Sequence, residues 1–207
     1  AKLATGESVE ADLLVGSDGI RSRLRDILDP RGSVPPTWSG YTCFAGIAKV
    51  RPADIEEVGY KVWLGARKYF VSVDVGQGRI QWYAFLNIPP GSLSVAPGAE
   101  SIDFLRTAQF GDWSDEVHQL LDNTAYEDVE QRDLYDRPPQ LRWVKGRVAL
   151  LGDAAHPMMP NLGQGGGMAI EDALVLGTEL RSIFDTSDMP FALTKYNDNR
   201  VLRAASV

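Results

Sequence analysis

Residues 146–180 read GRVALLGDAAHPMMPNLGQGGGMAIEDALVLGTEL, and this stretch decides the fold of the chain. It opens with the apolar run 148–151, which has the composition of a buried strand and is stopped by Gly152 and Asp153. Pro157 and Pro160 exclude helix from the crossing that follows. Beyond a glycine cluster, apolar residues recur at helical spacing on one predicted face: Ala169, Ala173, Leu176, Leu180 and Ile183. The stretch therefore predicts a strand, an irregular crossing and a helix.

The glycine cluster at 163–167 is the unusual feature of this stretch. Its sequence is Gly163-Gln164-Gly165-Gly166-Gly167. Each glycine in a helix costs about 1 kcal/mol relative to alanine, so the four together forgo roughly 3 to 4 kcal/mol. Such a cost is expected where a Cβ would strike something lying against the main chain. Because a helix N-terminus also offers unpaired N–H groups and partial positive charge, the cluster suits a flat, electron-rich ligand edge. The alternative is a glycine-rich turn packed on a neighbouring strand.

The segment GRVALLGDAAHPMMPNLGQGGGMAIED resembles the second flavin-binding motif of FAD-dependent monooxygenases of the aromatic-hydroxylase type. A dinucleotide phosphate loop fits less well, since no G-x-G-x-x-G can be read here. The resemblance implies that Asp153 binds the ribityl chain of FAD, that Pro160 lines the flavin ring and that main-chain N–H groups near Gly165 to Gly167 face it. Gly167 stands where the family more often has Asn. The cofactor-binding residues implied here are Gly152, Asp153, Pro160, Gly163, Gln164, Gly165, Gly166 and Gly167.

A second motif lies near the start of the chain, in LLVGSDGIRSRLR at 13–25. Its apolar run ends in a Gly-Ser-Asp-Gly turn, and Ser22 can cap a short helix. From spacing alone, Asp18 is a turn residue that binds its own backbone, and the arginines are solvated charge. The segment also resembles the D-G motif of the same flavoproteins. That resemblance implies that Asp18, Gly19 and Arg25 lie near the FAD pyrophosphate and the region touched by the nicotinamide cofactor.

The region between these motifs predicts an antiparallel sheet with helices. Strands are expected at 41–49, 60–64, 69–75 and 80–86, a hairpin turn at 76–79, a loop at 89–98, helices at 101–110 and 114–121, and a return to the sheet at 132–136. Most of its aromatic residues are expected to pack in the core. Aromatics in excess on the second face would form an apolar substrate wall, with Phe70, Trp82, Tyr83 and Phe85 as candidates. His118 is expected to be a structural surface residue.

The middle region, from YTCFAGIAKVRP at 41–52 to NIPPGS at 87–92, resembles the substrate-domain sheet of zeaxanthin epoxidases, and RDLYDRPPQLRWVKGRVALLGD continues the match. The resemblance implies an α/β, overall α+β, architecture in which a partial Rossmann-like FAD-binding domain is interrupted by an antiparallel-sheet substrate domain. The expected division is 1–29 and 141–207 for the FAD-binding domain and 30–140 for the substrate domain. The family's N-terminal G-x-G-x-x-G unit and the forkhead-associated domain of its plant members lie outside these residues.

The function implied by the resemblance is epoxidation of xanthophyll ring double bonds, from zeaxanthin to antheraxanthin to violaxanthin, by a C4a-hydroperoxyflavin. FAD is the cofactor, NAD(P)H or reduced ferredoxin is the reductant, and O₂ and an apolar carotenoid are the other partners. No side chain is expected to be catalytic, because the flavin supplies the chemistry. The implied location is the chloroplast, at the thylakoid or in the stroma, with peripheral membrane association of the parent protein. Two alternatives stay open: an aromatic hydroxylase of the same family, and a fragment that holds no FAD by itself.

Composition excludes several other classes of function. The 207 residues carry a net charge of −7, which argues against binding to nucleic acid. One cysteine and two histidines leave no basis for an internal disulfide or for an ordinary zinc site. No apolar run approaches the length of a membrane span.

Overall fold

The computed structural model describes residues 1–30, 34–50, 59–92 and 98–207. They form two compact units, one of Ala1–Thr37 with Tyr135–Val207 and the other of Trp38–Leu134. Part of the loop predicted at 89–98 falls outside the described residues. The assignment of the segments to an FAD-binding and a substrate domain stays a prediction.

The regular elements follow one another as a strand and helix, a run of strands, a group of helices, and a second strand–helix series. In chain order they are β1 (Leu14–Gly16), α1 (Arg23–Leu28), β2 (Thr37–Ala48), β3 (Tyr60–Gly65), β4 (Lys68–Asp74), β5 (Ile80–Leu86), α2 (Ala99–Asp103), a π-helical turn (Phe104–Gln109), α3 (Asp115–Asp122), β6 (Glu130–Asp136), β7 (Val144–Lys145), β8 (Val148–Leu150), α4 (Gly165–Arg181) and α5 (Met189–Ala205). Short 3₁₀ turns precede β6, follow β8, and lie before α4 and α5.

The first unit contains a three-stranded sheet in the order β1–β8–β7. β1 runs parallel to β8, with Leu14 opposite Val148, and β7 is antiparallel to β8. Its apolar core joins the sheet to α4 and α5, and includes Trp143, Leu150, Met168, Leu176, Leu193 and Tyr196. The parallel pair separated by a long insertion agrees with the predicted interrupted α/β unit.

The second unit contains a five-stranded sheet in the order β3–β4–β5–β2–β6. The pairs β3–β4, β4–β5 and β2–β5 are antiparallel. One face packs against α2, the π-helical turn and α3, through a core that includes Phe44, Phe70, Ile80, Trp82, Leu105, Phe110, Val117 and Leu120. The mixed α/β fold class with an antiparallel sheet is therefore confirmed. None of the helices in the described residues combines the length and the hydropathy that a membrane-spanning helix needs.

The buried face of α4 agrees in part with the predicted one, since Leu176 is buried and Leu180 packs against the same core. The residues buried on this helix are Met168, Asp172 and Leu176, whereas Ala173 is exposed. Ile183, which was expected on the same face, lies beyond the end of the helix. Counting only apolar residues shifted the predicted stripe, because the true stripe contains a carboxylate.

Candidate functional site

The turn after β8 is shaped by Gly152. Its φ of +59° lies in the left-handed region, and an added Cβ would stand 3.3 Å from the Cβ of Ala169. The backbone N–H of Gly152 donates to Oδ2 of Asp172 at 2.9 Å. Asp153 follows in the 3₁₀ turn Gly152–Ala154, and its side chain is exposed. The hydrogen bond to Asp172 therefore fixes the first residue of the turn, Gly152, and the next residue, Asp153, has its carboxylate exposed to solvent.

The N-terminus of α4 is uncovered. The chain enters it through the 3₁₀ turn Pro160–Leu162 and through Gly163, which is left-handed at φ +62°. A Cβ built on Gly163, Gly166 or Gly167 would meet nothing within 4 Å, and one on Gly165 would meet only the Cγ of Met158, at an ordinary 3.7 Å.

The N-cap residue of this helix, Gln164, makes no side-chain capping hydrogen bond. The alternative of a glycine cluster packed closely on a neighbouring strand is therefore wrong for the described part of the chain. What the glycines provide is open main chain, at the end of a helix where N–H groups and partial positive charge are concentrated.

Asp172 organises a buried polar network that the sequence analysis missed. The residue is fully buried, and its Oδ2 accepts from Gly152 N and lies 2.5 Å from Nε2 of His156. Oδ1 accepts from Nε of Arg200 at 2.7 Å. Arg200 also donates to Oε2 of Glu171 at 2.5 Å and to the main-chain oxygen of Met168 at 3.2 Å. Helix α5 thus clamps the carboxylate from one side, and the β8 turn and His156 bind it from the other.

The ionisation of Asp172 follows from these contacts. Burial acts to raise the pKa of its carboxyl group, but hydrogen bonds from His156, Gly152 and Arg200 outweigh burial, and the pKa is lowered from its usual value. Nearby, burial and the charge of Asp172 raise the pKa of Tyr196, whose hydroxyl donates to the main-chain oxygen of Leu150 at 2.8 Å. Asp172 is therefore a buried anion at neutral pH.

One signal in the sequence could have revealed this residue. Met168, Asp172 and Leu176 stand four residues apart, so they share one face of a helix. An aspartate between two apolar positions of such a stripe predicts a buried carboxylate that needs cationic or N–H partners.

The D-G segment forms a capped helix start. Oδ2 of Asp18 accepts from the N–H of Arg23 at 2.9 Å, and Ser22 Oγ accepts from the N–H of Arg25 at 2.9 Å. Slight burial opposes ionisation of Asp18, but hydrogen bonds from the Ser22 side chain and from main-chain N–H groups lower its pKa. Gly19 has φ +77°, which permits the tight turn. Asp18 is thus an exposed cap of α1, and its predicted place near the pyrophosphate stays a prediction.

Arg25 corrects the expectation that the arginines of this segment are solvated. Its side chain is buried and donates to two main-chain oxygens, of Ala155 at 2.9 Å and of Pro138 at 2.8 Å. Burial, together with the neighbouring charge of Arg137, lowers the pKa of Arg25 to about 10. Arg21 and Arg23 are exposed, as expected. Arg25 therefore links α1 to the segment between β8 and α4. Its guanidinium group is occupied by hydrogen bonds to main-chain oxygens of the protein itself.

The four candidate substrate residues divide between the two faces of the sheet. Phe70 and Trp82 are fully buried under the helices, where their rings stack at 5.5 Å. Phe70 and Trp82 are therefore core residues, which corrects the prediction that they contact substrate. Tyr83 and Phe85 lie on the opposite face with the stacked pair Tyr69–Phe85, whose centroids are 4.3 Å apart. The residues of this second face are Tyr41, Cys43, Tyr69, Val71, Tyr83, Phe85 and Leu134.

His118 and a cavity of the first unit involve none of the candidate cofactor residues. His118 is half-buried, with Nε2 2.8 Å from the main-chain oxygen of Phe110, so its role is structural. A cavity of about 260 Å³ in the first unit lies beside Trp143, His156 and Met159, and none of the predicted cofactor-binding residues lines it. Among the residues that the structure describes, no group of three His, Cys, Asp or Glu side chains could hold a metal ion.

Comparison with known proteins agrees with the motifs. Residues 122–207 match the family described as FAD binding domain. The resemblance to the flavoprotein monooxygenases is confirmed. Over 99% of its length the chain is 48% identical to a chloroplastic zeaxanthin epoxidase of an Oncidium hybrid cultivar, and 47% identical to that of Arabidopsis thaliana. The chain spans 31% of the length of each of these relatives.

Solved structures of flavoproteins share the fold. The chain superimposes on Klebsiella pneumoniae HpxO complexed with FAD and uric acid with a TM-score of 0.84, at 30% identity, over 97% of this chain and 50% of that one. A salicylate hydroxylase substrate complex gives a TM-score of 0.79, at 25% identity, over 99% of this chain and 54% of that one. The prediction that FAD is the cofactor agrees with the match to an FAD binding domain and with the solved structure that contains FAD. The names of the curated relatives also agree with the predicted chloroplast location.

Proposed function

We propose that the full-length protein containing this chain is an FAD-dependent monooxygenase that epoxidises the ring double bonds of a xanthophyll in the chloroplast. The observation that carries the proposal is the uncovered main chain of Gly163 and Gly165 to Gly167 at the start of α4. This segment lies inside the part of the chain that matches an FAD binding domain.

The residues present fit a flavin. Added Cβ atoms at Gly166 and Gly167 would occupy open space, so the glycines leave room for a ring to approach the main chain. The uncapped end of α4 favours negative charge by about 0.3 to 1 kcal/mol, and reduced flavin is anionic at its ring edge. Asp153 offers an exposed carboxylate that can accept hydrogen bonds from ribityl hydroxyls. Pro160, exposed beside the cluster, offers a flat apolar surface to a ring.

The chemistry that bound FAD supplies is activation of O₂ for transfer of one oxygen atom to a carbon–carbon double bond. The tasks left to the polypeptide are to bind the cofactor, to orient the substrate and to keep water away from the reacting atoms. Gly152, Asp153, Pro160 and the 163–167 cluster, including Gln164, would hold the flavin half of the cofactor. Asp18, Gly19 and Arg25 would act nearer the pyrophosphate, with Arg25 positioning the crossing rather than meeting phosphate directly.

The second face of the five-stranded sheet suits an apolar substrate. Tyr41, Tyr69 and Tyr83 are half-buried there around a buried floor that contains Phe85. A xanthophyll ring has no charge to pair, so recognition relies on apolar and aromatic contact. We propose Tyr83 and Phe85, with Tyr69, as the substrate-facing residues of this chain.

The test uses the full-length protein, supplied with FAD, O₂ and zeaxanthin in lipid micelles. Parallel reactions contain NADPH or reduced ferredoxin, which separates the two proposed reductants. The expected products are carotenoids that have gained one and then two oxygen atoms, seen by chromatography and mass spectrometry. Hydroxylation of a phenol or aromatic acid, with zeaxanthin unchanged, would instead establish the aromatic-hydroxylase alternative. Failure to bind FAD would overturn the proposal altogether.

A further inference from the structure

We propose that Asp172 is a positioning residue, which holds the turn carrying Asp153 at a fixed place relative to the open N-terminus of α4. The inference rests on the proposed flavin site, since these are the two elements that would share the cofactor. Asp172 itself is fully buried, so its effect on the cofactor passes through the main chain that it binds.

The carboxylate of Asp172 reaches back to the turn that follows β8. Asp172 lies about two turns into α4, and helical side chains lean toward the N-terminus of their helix, which brings this carboxylate back toward the start of α4. There it accepts the N–H of Gly152, the residue directly before Asp153, at 2.9 Å. A rigid helix and a turn after a strand are thus joined at one atom, Oδ2.

The carboxylate of Asp172 is itself held in place. Arg200 of α5 donates Nε to Oδ1 at 2.7 Å and reaches the main-chain oxygen of Met168 at 3.2 Å. Glu171, the neighbour of Asp172, binds Arg200 and, at 3.0 Å, Arg203. His156 approaches Oδ2 from the crossing. Because Arg200 and His156 fix its orientation from two other segments, Asp172 can transmit position to the turn rather than merely follow it.

The contacts of Asp172 are specific for a carboxylate. Every group that faces the two oxygens in these contacts is an N–H of the main chain or of Arg200, or a ring nitrogen of His156. Asparagine has the same size but replaces one oxygen by an NH₂ group. That group would point a donor either at Gly152 N–H and His156 or at Arg200. Asp172→Asn therefore preserves the volume of the side chain and disrupts the hydrogen bonds that join it to Gly152, His156 and Arg200.

The experiment measures the dissociation constant of FAD for the full-length protein, by flavin fluorescence, at a temperature where circular dichroism finds each variant folded. Asp172→Asn is expected to weaken FAD binding by about tenfold or more, because the turn carrying Asp153 is no longer preorganised. The matched control is Tyr196→Phe, which removes a buried hydrogen bond to Leu150 in the same core without touching the turn. This control is expected to bind FAD within about twofold of the unaltered protein, although its stability falls.

A readout without cofactor accompanies the binding measurement. In the apo-protein, hydrogen exchange at the amides of Gly152 and Asp153 should accelerate in Asp172→Asn and stay slow in Tyr196→Phe. If Asp172→Asn does not fold, Arg200→Lys frees Oδ1 and keeps the charge, and it should weaken FAD binding by about threefold or more. FAD binding that is unchanged in the folded variant would overturn the positioning role alone. No FAD binding by the unaltered protein would overturn the proposed function as well.

Discussion

The carboxylate of Asp172 accepts the backbone N–H of Gly152 at 2.9 Å, across twenty residues of sequence. One bond thereby links a helix interior to the left-handed turn that ends β8. It accounts for two features at once: a charged residue on the buried stripe of α4, and a glycine whose φ of +59° would strain most other residues.

The Asp172 network should make stability depend on pH in one direction. The pKa of Asp172 is lowered in the folded protein, so its contribution is present above the unfolded value near 4 and is lost as the pH falls through the lower, folded value. Asp172→Asn should reduce the free energy of unfolding by about 3 kcal/mol at pH 7. This difference from the unaltered protein should shrink below pH 4, as measured by urea unfolding at several pH values. A difference that is constant between pH 7 and pH 3 would contradict the assignment.

Arg25 should matter for folding far more than its neighbour. Arg25→Ala leaves the main-chain oxygens of Ala155 and Pro138 without their guanidinium donor, and we expect a loss of about 2 to 4 kcal/mol. Arg23→Ala removes an exposed arginine from the same helix and should change stability by less than about 0.5 kcal/mol. Thermal unfolding of the two variants makes the comparison. Equal effects would mean that Arg25 is not anchored as described.

Gly46 should not tolerate a methyl group. A Cβ at this position of β2 would stand 2.6 Å from the ring of Trp82, which is fully buried and donates its indole N–H to Thr124 Oγ1 at 2.7 Å. Gly46→Ala should therefore destabilise the protein by about 1 to 3 kcal/mol through overpacking. The change is followed by urea unfolding, with tryptophan fluorescence as the probe. Stability equal to that of the unaltered protein would show that Trp82 can move aside.

Cys43 should be unreactive in the native protein. Burial raises the pKa of its thiol to about 12, so very little thiolate exists at pH 8. Because this is the only cysteine of the 207 residues, Ellman's reagent gives a direct measurement of this chain. We expect slow labelling of the folded chain and rapid, stoichiometric labelling in denaturant. Rapid labelling of the native chain would place Cys43 at the surface.

Much of the fold could be predicted because its signals are local. The alternation Tyr69-Phe70-Val71 predicted a two-faced strand, and the Gly76–Gly78 turn predicted its hairpin, since both depend on neighbours in the sequence. Which aromatic residues would lie beneath helices could not be predicted. Phe70 and Trp82 are core residues because α2, the π-helical turn and α3 cover that face, and coverage is a tertiary property.

The candidate site divides in the same way. The open glycine cluster and the turn at Asp153 could be predicted, because glycine and the end of an apolar run have local meanings. The burial of Arg25 and Asp172 could not be predicted from residue type, because arginine and aspartate are usually exposed. Their hydrogen-bond partners also lie far along the chain. Only the spacing of Asp172 between Met168 and Leu176 carried a hint.

We propose that the open main chain at the start of α4 receives a flavin, and Gly166→Ala is the decisive variant. The added methyl group meets nothing in the described protein, so the stability of the apo-protein should be unchanged or higher by up to about 1 kcal/mol. Gly177→Ala, in the same helix and also in open space, is the matched control. In the full-length protein we predict that Gly166→Ala weakens FAD binding by about tenfold while Gly177→Ala leaves it unchanged. Equal FAD affinity in the two variants would show that the open main chain of α4 does not face the flavin.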